Sequence, residues 1–364
     1  MSAPQTSVKG LASRLFHTQF FWGVLVIVLL LALDLFRDPS YLSLSLSPEA
    51  GGLVGNVIDI IKLSAPILMI SLGMVFVIAT AGIDLSVGSV MAVSGAIALQ
   101  YLASAPDPNS FGSVASALGL GLAAGVAIGL INAVLVSVVG LQPFISTLVM
   151  MIAGRGLAKV ITGGQNTSVQ ASDLYHWIAN GYVLGFPVVF VLALTIVAVV
   201  AVVVRRTALG MMIEAIGINP NASRMAGIQP RGLLITVYAL SGLLAAIAGI
   251  MATSTVNTID VSKTGSSMEM DAILAVVVGG TSLAGGKFSI GGTVVGGLLI
   301  ATLNKTVLFL GIPSEATPVF KATIIIVICL LQSARVRALF QRRRPPSQLA
   351  TAAHADQQKE AVSA

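Results

Sequence analysis

The sequence predicts an all-α protein: a polytopic membrane bundle of about ten transmembrane helices with both termini in the cytoplasm. Of the 364 residues, 56% are hydrophobic and only 9% are charged, whereas a soluble domain carries roughly 25% charged residues. The mean hydropathy is +0.96, and long uncharged runs recur along the chain. So few charges could not cover a soluble surface, which argues against a soluble enzyme, a nucleic-acid-binding protein and a disordered chain.

The first half of the chain contains five predicted spans. Residues 18–33 follow Lys9 and Arg14, and no A-x-A-like cleavage site comes after them, so an uncleaved span is favoured over a signal peptide. The uncharged run 108–154 is too long for one crossing. Pro143 divides it, because proline lacks an amide donor and restricts the preceding residue. The five spans are 18–33, Leu63–Ile83, Leu85–Pro106 and the two halves of 108–154.

The second half contains two long apolar runs and three shorter ones. Trp177–Val204 and Gly232–Ile259 are each long enough to cross a bilayer. The shorter runs are interrupted by lysines, and we interpret them as spans 8, 9 and 10. A shift of one boundary in this region would give nine or eleven spans. The shorter runs are Ala272–Gly286, Phe288–Asn304 and Ala322–Ser333.

The distribution of basic residues predicts the orientation. Cytoplasmic loops of membrane proteins carry an excess of lysine and arginine. With a cytoplasmic N-terminus and ten crossings, 13 of the 20 basic residues fall inside, which favours this orientation. The inside residues are Lys9, Arg14, Arg205, Arg206, Arg224, Arg231, Lys287, Arg335, Arg337, Arg342, Arg343, Arg344 and Lys359.

These segments divide the chain into three parts. Residues 1–17 form a predicted cytoplasmic N-terminal segment, and residues 18–335 form the transmembrane domain, with a cytoplasmic loop at 205–231. Residues 336–364 contain three consecutive arginines and then a polar stretch rich in alanine and glutamine. This composition predicts a disordered, basic cytoplasmic tail.

The sequence predicts no cofactor or metal in this chain. Cys329 is the only cysteine, and His17, His176 and His354 stand far apart, so no intrachain disulfide, zinc site or haem site is expected. The nearest approach to a phosphate-binding loop is 281–288. It lacks the first glycine of the motif and ends in phenylalanine. The chain is therefore not expected to hydrolyse ATP itself.

Small residues predict close packing between helices. Glycines four residues apart let two backbones approach in a bilayer, and the alternative is that helices slide at these contacts. Two glycine-containing segments, Ala81–Gly88 and Gly279–Gly286, also resemble each other weakly and join consecutive spans in the two halves. Such matched interruptions can mark a substrate pathway. The spaced glycines are Gly121, Gly125 and Gly129, and Gly292 and Gly296.

Three polar residues inside apolar runs are candidates for a translocation pathway. Asp84 lies between two long apolar runs, where a carboxylate needs an interface, a cavity or a partner. It can cap the next helix beside Ser86, or it can face the pathway, and both roles are compatible. Asn132 and Asn304 are the other two candidates. Such uncharged groups more often hydrogen-bond across helices than bind substrate.

The 205–231 loop is predicted to form helices outside the membrane. Residues 206–216 permit an amphipathic helix that ends at Gly217. Asn219 is a favourable N-cap, Pro220 suits the first helical position and Gly227 suits the stop. The loop is predicted to dock against a partner, and the alternative is an interfacial helix on lipid headgroups. The expected apolar contact residues are Met211, Met212, Ile213, Ile216 and Met225.

Three segments, in this order, resemble the permease subunits of bacterial ATP-binding-cassette sugar importers of the ribose/xylose type. They are Val77–Val90, Glu214–Ile228 and Asp271–Gly286. Leu141–Leu148 and Gly154–Ala158 further resemble the galactofuranose permeases of enteric bacteria, which are the most similar branch by these motifs.

The resemblance implies a multi-pass subunit of the bacterial inner membrane that pairs with a second permease, identical or homologous. A periplasmic binding protein would deliver a monosaccharide, a pentose or hexose with galactofuranose among the candidates. A cytoplasmic ATPase, which binds ATP and Mg, would drive alternating access. No nucleic acid is involved. The residues expected to couple to the ATPase are Glu214, Gly217, Asn219, Pro220, Arg224 and Gly227.

Two other classes remain as alternatives. An ion-gradient-driven secondary transporter of a small polar solute often uses paired intramembrane carboxylates. The candidates, Asp84 and Asp271, lie on opposite sides of the membrane in the predicted topology. A membrane-embedded enzyme would need acidic or histidine residues clustered at one face, and the sequence shows no such cluster.

Overall fold

The computed structural model describes residues 19–47, 51–313 and 316–332, and this part of the chain is largely helical. The predicted segment 1–17 and the predicted tail 336–364 lie outside the described residues. The helices are α1 (Gln19–Arg37), α2 (Asn56–Ala79), α3 (Val87–Ser104), α4 (Phe111–Ser137), α5 (Pro143–Ile161), α6 (Asp173–Asn180), α7 (Val188–Arg206), α8 (Leu209–Ile218), α9 (Pro220–Met225), α10 (Pro230–Val256), α11 (Met268–Val278), α12 (Ile290–Phe309) and α13 (Thr317–Gln332).

Short strands join some of the connecting segments. Each pair is antiparallel and only two or three residues long. The pairs are β1 (Ser45–Ser47) with β2 (Gly52–Val54), β3 (Thr167–Ser168) with β6 (Thr258–Ile259), and β4 (Tyr182–Val183) with β5 (Phe186–Pro187).

Seven helices of the described part are long and apolar enough to cross a membrane: α2, α3, α4, α5, α7, α10 and α12. This confirms a polytopic helical fold. The other three predicted spans correspond to α1, α11 and α13, with 19, 11 and 16 residues. Because α11 is only about 17 Å long and a bilayer core is about 30 Å thick, α11 does not cross on its own. The count of ten stays a prediction.

Two predicted spans have different boundaries. The expected span at 177–204 is two helices, because α6 ends at Asn180 and a β4–β5 hairpin precedes α7. The expected span at 272–286 is α11 followed by a non-helical connection, since helix geometry ends at Val278 and Gly280 has a φ of +90°. Hydropathy alone could not detect either break, because residues 181–187 and 279–286 are uncharged.

The helix α2 begins seven residues before the predicted span, since its charged first turns find partners. The Nζ of Lys305 on α12 lies 2.6 Å from the Asp59 carboxylate. The Nζ of Lys62 lies 4.8 Å from the ring centroid of Tyr182, within cation–π distance. These contacts allow charged residues within an otherwise apolar helix.

The helix α2 is at the centre of the bundle. Every residue from Ile67 to Ala79 is buried, as expected for a helix that is apolar on all sides. It packs against α10, α12, α11 and α7. By contrast, α4, α5 and α7 expose many apolar side chains, which is the expected pattern for helices that face lipid.

The spaced glycines lie at close backbone contacts, which confirms the packing prediction. A Cβ at Gly125 or Gly129 would overlap α10, and one at Gly292 or Gly296 would overlap α11 or the residue after it. Helices meet this closely in a bilayer only where side chains are small.

Candidate functional site

The loop between α7 and α10 forms two short helices, α8 and α9. The side-chain oxygen of Asn219 accepts hydrogen bonds from two amides of α9, both at 3.0 Å. Pro220 is the first residue of α9. Gly227 follows the end of α9 with a φ of +84°, a conformation that a Cβ disfavours. The predicted cap, first position and stop of this helix are confirmed.

The preceding helix, α8, differs from the prediction by about one turn at its start. Thr207 is extended and its hydroxyl accepts a hydrogen bond from the amide of Leu209 at 3.3 Å, so α7 ends at Arg206 and α8 begins at Leu209. The helix then continues to Ile218. Gly217 therefore lies in the last turn of α8, and the expectation that the helix ends there is wrong by one residue.

The predicted apolar face of the loop divides into two surfaces. Ile213 and Ile216 are buried against the bundle, so they anchor α8 and are not free for a partner. Three residues form the exposed apolar surface: Met211, Ile218 and Met225 are 73%, 71% and 91% exposed. We call these three residues the exposed coupling surface. Ile218 was not among the expected contact residues.

Gly217 lies where three segments of backbone meet. A Cβ at this position would overlap the carbonyl oxygen of Ala79, at the end of α2, and would crowd the amide of Gly286. That amide donates a hydrogen bond to the same Ala79 carbonyl at 2.9 Å. Segment 81–88 begins two residues after Ala79, and segment 279–286 ends at Gly286. The two weakly similar segments therefore meet beneath α8, where Ala81 also lies against Gly285. We call this contact the glycine junction.

Glu214 lines a cleft of about 330 Å³ between α8 and the start of α12. Arg205 and Ser289 line the same cleft. Glu214 itself is partly buried, whereas Arg224 of α9 is exposed. The side chains expected to meet a partner therefore stand at one end of the bundle, around a cleft and an apolar surface.

Asp84 is at the centre of a buried polar network. It is 1% exposed. One carboxylate oxygen accepts hydrogen bonds from the amide and the hydroxyl of Ser86, at 3.0 and 2.6 Å. The other accepts one from the hydroxyl of Ser241 on α10, at 2.8 Å. The N-cap residue of α3 is Ser86, so Asp84 stabilises the turn before the helix and also links it to α10.

The structure brings two of the three predicted pathway residues together. The Asn132 amide nitrogen donates a hydrogen bond to the Ser86 hydroxyl at 2.8 Å, which extends the Asp84 network to α4. The Asn132 carbonyl oxygen and the Tyr238 hydroxyl are buried without a hydrogen-bond partner among the described residues. Asn304 lies about 21 Å along α12 from Ile290, towards the other end of the bundle.

Sequence reasoning missed several buried polar residues. Asp34 is fully buried and accepts a hydrogen bond from the Thr306 hydroxyl at 2.7 Å. Glu269 is 9% exposed. Asp271, one of the two carboxylates named above for a secondary transporter, accepts two hydrogen bonds from Lys321, both at 2.9 Å. Asp34 could have been noticed, because it interrupts an apolar run three residues before Arg37.

The end of the bundle away from α8 has its own cleft, of about 620 Å³. Its lining includes Lys62, Asp173 and Trp177, and the Trp177 side chain is 49% exposed. The β3–β6 pair lies at this end. The Arg155 guanidinium lies nearer the start of α3, beside Gly88, and donates to the carbonyls of Thr264 and Gly265 at 2.6 Å each.

Comparison with known proteins identifies similar chains along most of the sequence. A family model described as branched-chain amino acid transport system / permease component matches residues 56–329. The chain is 50% identical over 334 residues to the fructose import permease protein of Bifidobacterium longum, which covers 91% of this chain and 92% of that protein. No protein of known structure matches the chain.

Two relatives from Escherichia coli K12 are also similar. The galactofuranose transporter permease protein is 40% identical over 319 residues, or 87% of this chain and 91% of that protein. The ribose import permease protein is 38% identical over 284 residues, or 77% and 86%. The predicted resemblance to sugar permeases is confirmed. The galactofuranose permease is among these relatives, at 40% identity, and the fructose permease shares 50% of aligned residues.

Proposed function

The chain belongs to the family of permease components of the branched-chain amino acid transport type, and from this we propose that it is the membrane subunit of an ATP-binding-cassette importer for a monosaccharide. It is a multi-pass protein of the bacterial inner membrane and a transport subunit rather than an enzyme. The observation that carries the proposal is the similarity to three sugar import permeases, which covers 91%, 87% and 77% of this chain.

The proposed substrate is a free pentose or hexose. The relatives are named for fructose, galactofuranose and ribose, two sugars with six carbons and one with five. The part of the chain that the family model matches, residues 56–329, includes Asp84 and the 205–231 loop. Galactofuranose, which the sequence motifs suggested, is thus one member of a wider candidate set in which fructose comes first by identity.

The proposed topology has ten spans with both termini in the cytoplasm. Contacts between connecting segments support its assignment of these segments to the two sides. The segments assigned to the cytoplasm, at Ala79, Gly217 and Gly286, meet at the glycine junction. Two segments assigned to the outside pair as β3 and β6. A topology that placed either set on both sides of the bilayer would be incompatible with these contacts.

The proposed coupling site is the α8–α9 unit. The ATPase would contact the exposed coupling surface together with Glu214 and Arg224. Asn219, Pro220 and Gly227 hold α9 in place through its cap, first turn and stop. Gly217 would transmit movement, because it touches the backbone at the end of α2 and before α12. Both halves of the bundle would then respond to one displacement.

The proposed translocation pathway passes Asp84, Asn132 and Asn304. Asp84 and Asn132 belong to one buried network at the depth where α2 ends and α3 begins. Asn304 is about 21 Å along α12 from its first residue, which puts it near the other end of the path. Buried polar groups in apolar helices are candidate contacts for a hydroxyl-rich solute.

The proposed partners complete the importer. A second permease, identical or homologous, would pair with this chain in the lipid bilayer, and a periplasmic binding protein would dock over the 620 Å³ cleft. ATP and Mg would bind to the partner ATPase, since the 281–288 segment lacks the phosphate-loop pattern.

Reconstitution tests this proposal. The chain is placed in liposomes with its cognate ATPase and binding protein, and uptake of radiolabelled fructose, ribose and galactofuranose is measured. We expect ATP-dependent uptake of at least one sugar, and none when the ATPase or the binding protein is left out. A matched liposome without the chain gives the leak rate.

The alternative, a secondary transporter, has a distinct outcome. Sugar uptake by the chain alone, driven by a proton or sodium gradient, would contradict the importer proposal. The same set-up with leucine in place of sugar distinguishes the substrate class: ATP-dependent uptake of leucine but of no sugar would refute the monosaccharide assignment.

A further inference from the structure

An apolar groove beside α8 has no role in the proposed function. It has a volume of about 300 Å³, at the small end of ligand pockets, which span roughly 300–1,000 Å³. It lies between α7 and α10, and the buried side chains of Phe76 and Ile213 form its floor. Its lining is apolar apart from Thr236, whose hydroxyl donates to the Gly232 carbonyl at 3.1 Å.

The groove is open to the surface that faces lipid. Val199 and Val203, on its α7 wall, are 56% and 44% exposed, and they belong to a helix that is long and apolar enough to cross the membrane. A groove in such a face is in contact with acyl chains, which are as apolar as its walls. Its geometry alone therefore favours a hydrocarbon chain over a polar solute.

One arginine, Arg206, lies on the same face of α7 as the residues that form the groove wall. Arg206 follows Val203 by three residues and Val199 by seven, so the three side chains share one face of α7. Arg206 is exposed, and its guanidinium has no ion-pair partner within 19–47, 51–313 and 316–332. The neighbouring Arg205 differs, because it lines the separate cleft that contains Glu214.

We propose that this groove binds one phospholipid with an anionic headgroup. An acyl chain lies along Val203 and Leu240 and reaches Ile213, and the phosphate is held by Arg206 at the end of α7. Basic side chains at the membrane surface attract anionic lipids, and the groove supplies the apolar complement. Since Ile213 belongs to α8, the lipid contacts the helix that the proposed function assigns to the ATPase, although lipid binding itself is independent of that assignment.

Native mass spectrometry of the whole purified chain tests the proposal. The chain is mixed with equal amounts of dioleoyl phosphatidylglycerol and dioleoyl phosphatidylcholine, and retained lipid is counted. We expect a preference for phosphatidylglycerol of about fivefold. This ratio corresponds to the attraction of about 1 kcal/mol between one basic residue near the surface and an anionic lipid. Arg206→Gln should abolish this preference, while Arg205→Gln, at the same depth with the same charge change, should keep it.

A second pair of variants tests the groove itself. Thr236→Phe fills it and should remove the tightly retained lipid. Thr195→Phe is the matched control, because Thr195 is exposed on α7 outside the groove and makes the same kind of hydrogen bond, to the Val191 carbonyl at 2.7 Å. Equal retention of both lipids by the unaltered chain, equal effects of the two arginine variants, or unchanged retention in Thr236→Phe would each overturn the proposal. If Thr236→Phe does not fold, the arginine pair decides.

Discussion

At the residue scale, Asp84 is a carboxylate whose neighbours offset the cost of its burial. A charge among apolar helices is costly unless it is paired or hydrogen-bonded, and Ser86 and Ser241 together donate three hydrogen bonds to it. The sequence identified Asp84, because a lone charge between two apolar runs is visible. Ser241 could not be predicted, since it lies 157 residues away and serines are common in this chain.

Replacing Asp84 should destabilise the bundle. Asp84→Ala leaves three buried donors without an acceptor, at about 1–3 kcal/mol for each unsatisfied group, whereas Asp84→Asn keeps one acceptor and should lose less. The measurement is thermal unfolding in detergent. Asp107→Ala is the control, because exposed Asp107 makes the same turn contact, to the Asn109 amide at 3.0 Å. Equal melting temperatures for Asp84→Ala and Asp107→Ala would contradict this account.

Gly217 should not tolerate even one added methyl group. In Gly217→Ala the Cβ meets the Ala79 carbonyl, and relieving that overlap should cost about 1–3 kcal/mol of stability. Gly232→Ala is the matched control: this glycine is also helical, has open space around it and should gain stability from alanine, by up to about 1 kcal/mol. Thermal unfolding measures both, and a Gly217→Ala variant as stable as Gly232→Ala would show that the glycine junction is not close-packed.

At the element scale, the α8–α9 unit shows which features the sequence can predict. Asn219, Pro220 and Gly227 are local signals, and the helix they cap and stop was predicted from them. The sequence does not show which apolar residues of α8 face the bundle and which face solvent, because isoleucine and methionine are both apolar. The assignment of Ile213 to the bundle and Ile218 to solvent depends on contacts with residues far away in sequence. The hydrophobic pattern identifies the apolar residues of a helix, and tertiary packing determines which of them are buried.

A charge placed on the exposed coupling surface should weaken attachment of the ATPase. Met225→Glu puts a carboxylate where an apolar contact is expected, and loss of an energetically important interface residue costs more than about 1 kcal/mol, or about fivefold or more in affinity. Co-purification of the ATPase and its stimulation by the permease measure this. Leu184→Glu is the control, because Leu184 is 95% exposed on the β4–β5 hairpin. An ATPase affinity unchanged in Met225→Glu would remove α9 from the interface.

At the scale of the whole molecule, hydropathy predicted the class and most of the helices, but not how they end. Every predicted span overlaps a helix of the structure, and the division near Pro143 is confirmed by the break between α4 and α5. Hydropathy could not reveal that α11 is short or that a hairpin precedes α7. Uncharged glycine turns and short strands have the same hydropathy pattern as a membrane-spanning helix. The two clusters of contacting loops, at opposite ends of the bundle, emerge only from the fold.

Single-cysteine labelling tests most directly whether the α8–α9 unit is in the cytoplasm, where an ATPase can act. Cys329, the only cysteine, is replaced by serine, and Met225→Cys or Leu184→Cys is introduced; a membrane-impermeant maleimide is then applied to right-side-out and inside-out vesicles. The account predicts that the cysteine at 225 reacts only in inside-out vesicles and the cysteine at 184 only in right-side-out ones. Labelling at 225 in intact right-side-out vesicles would contradict it.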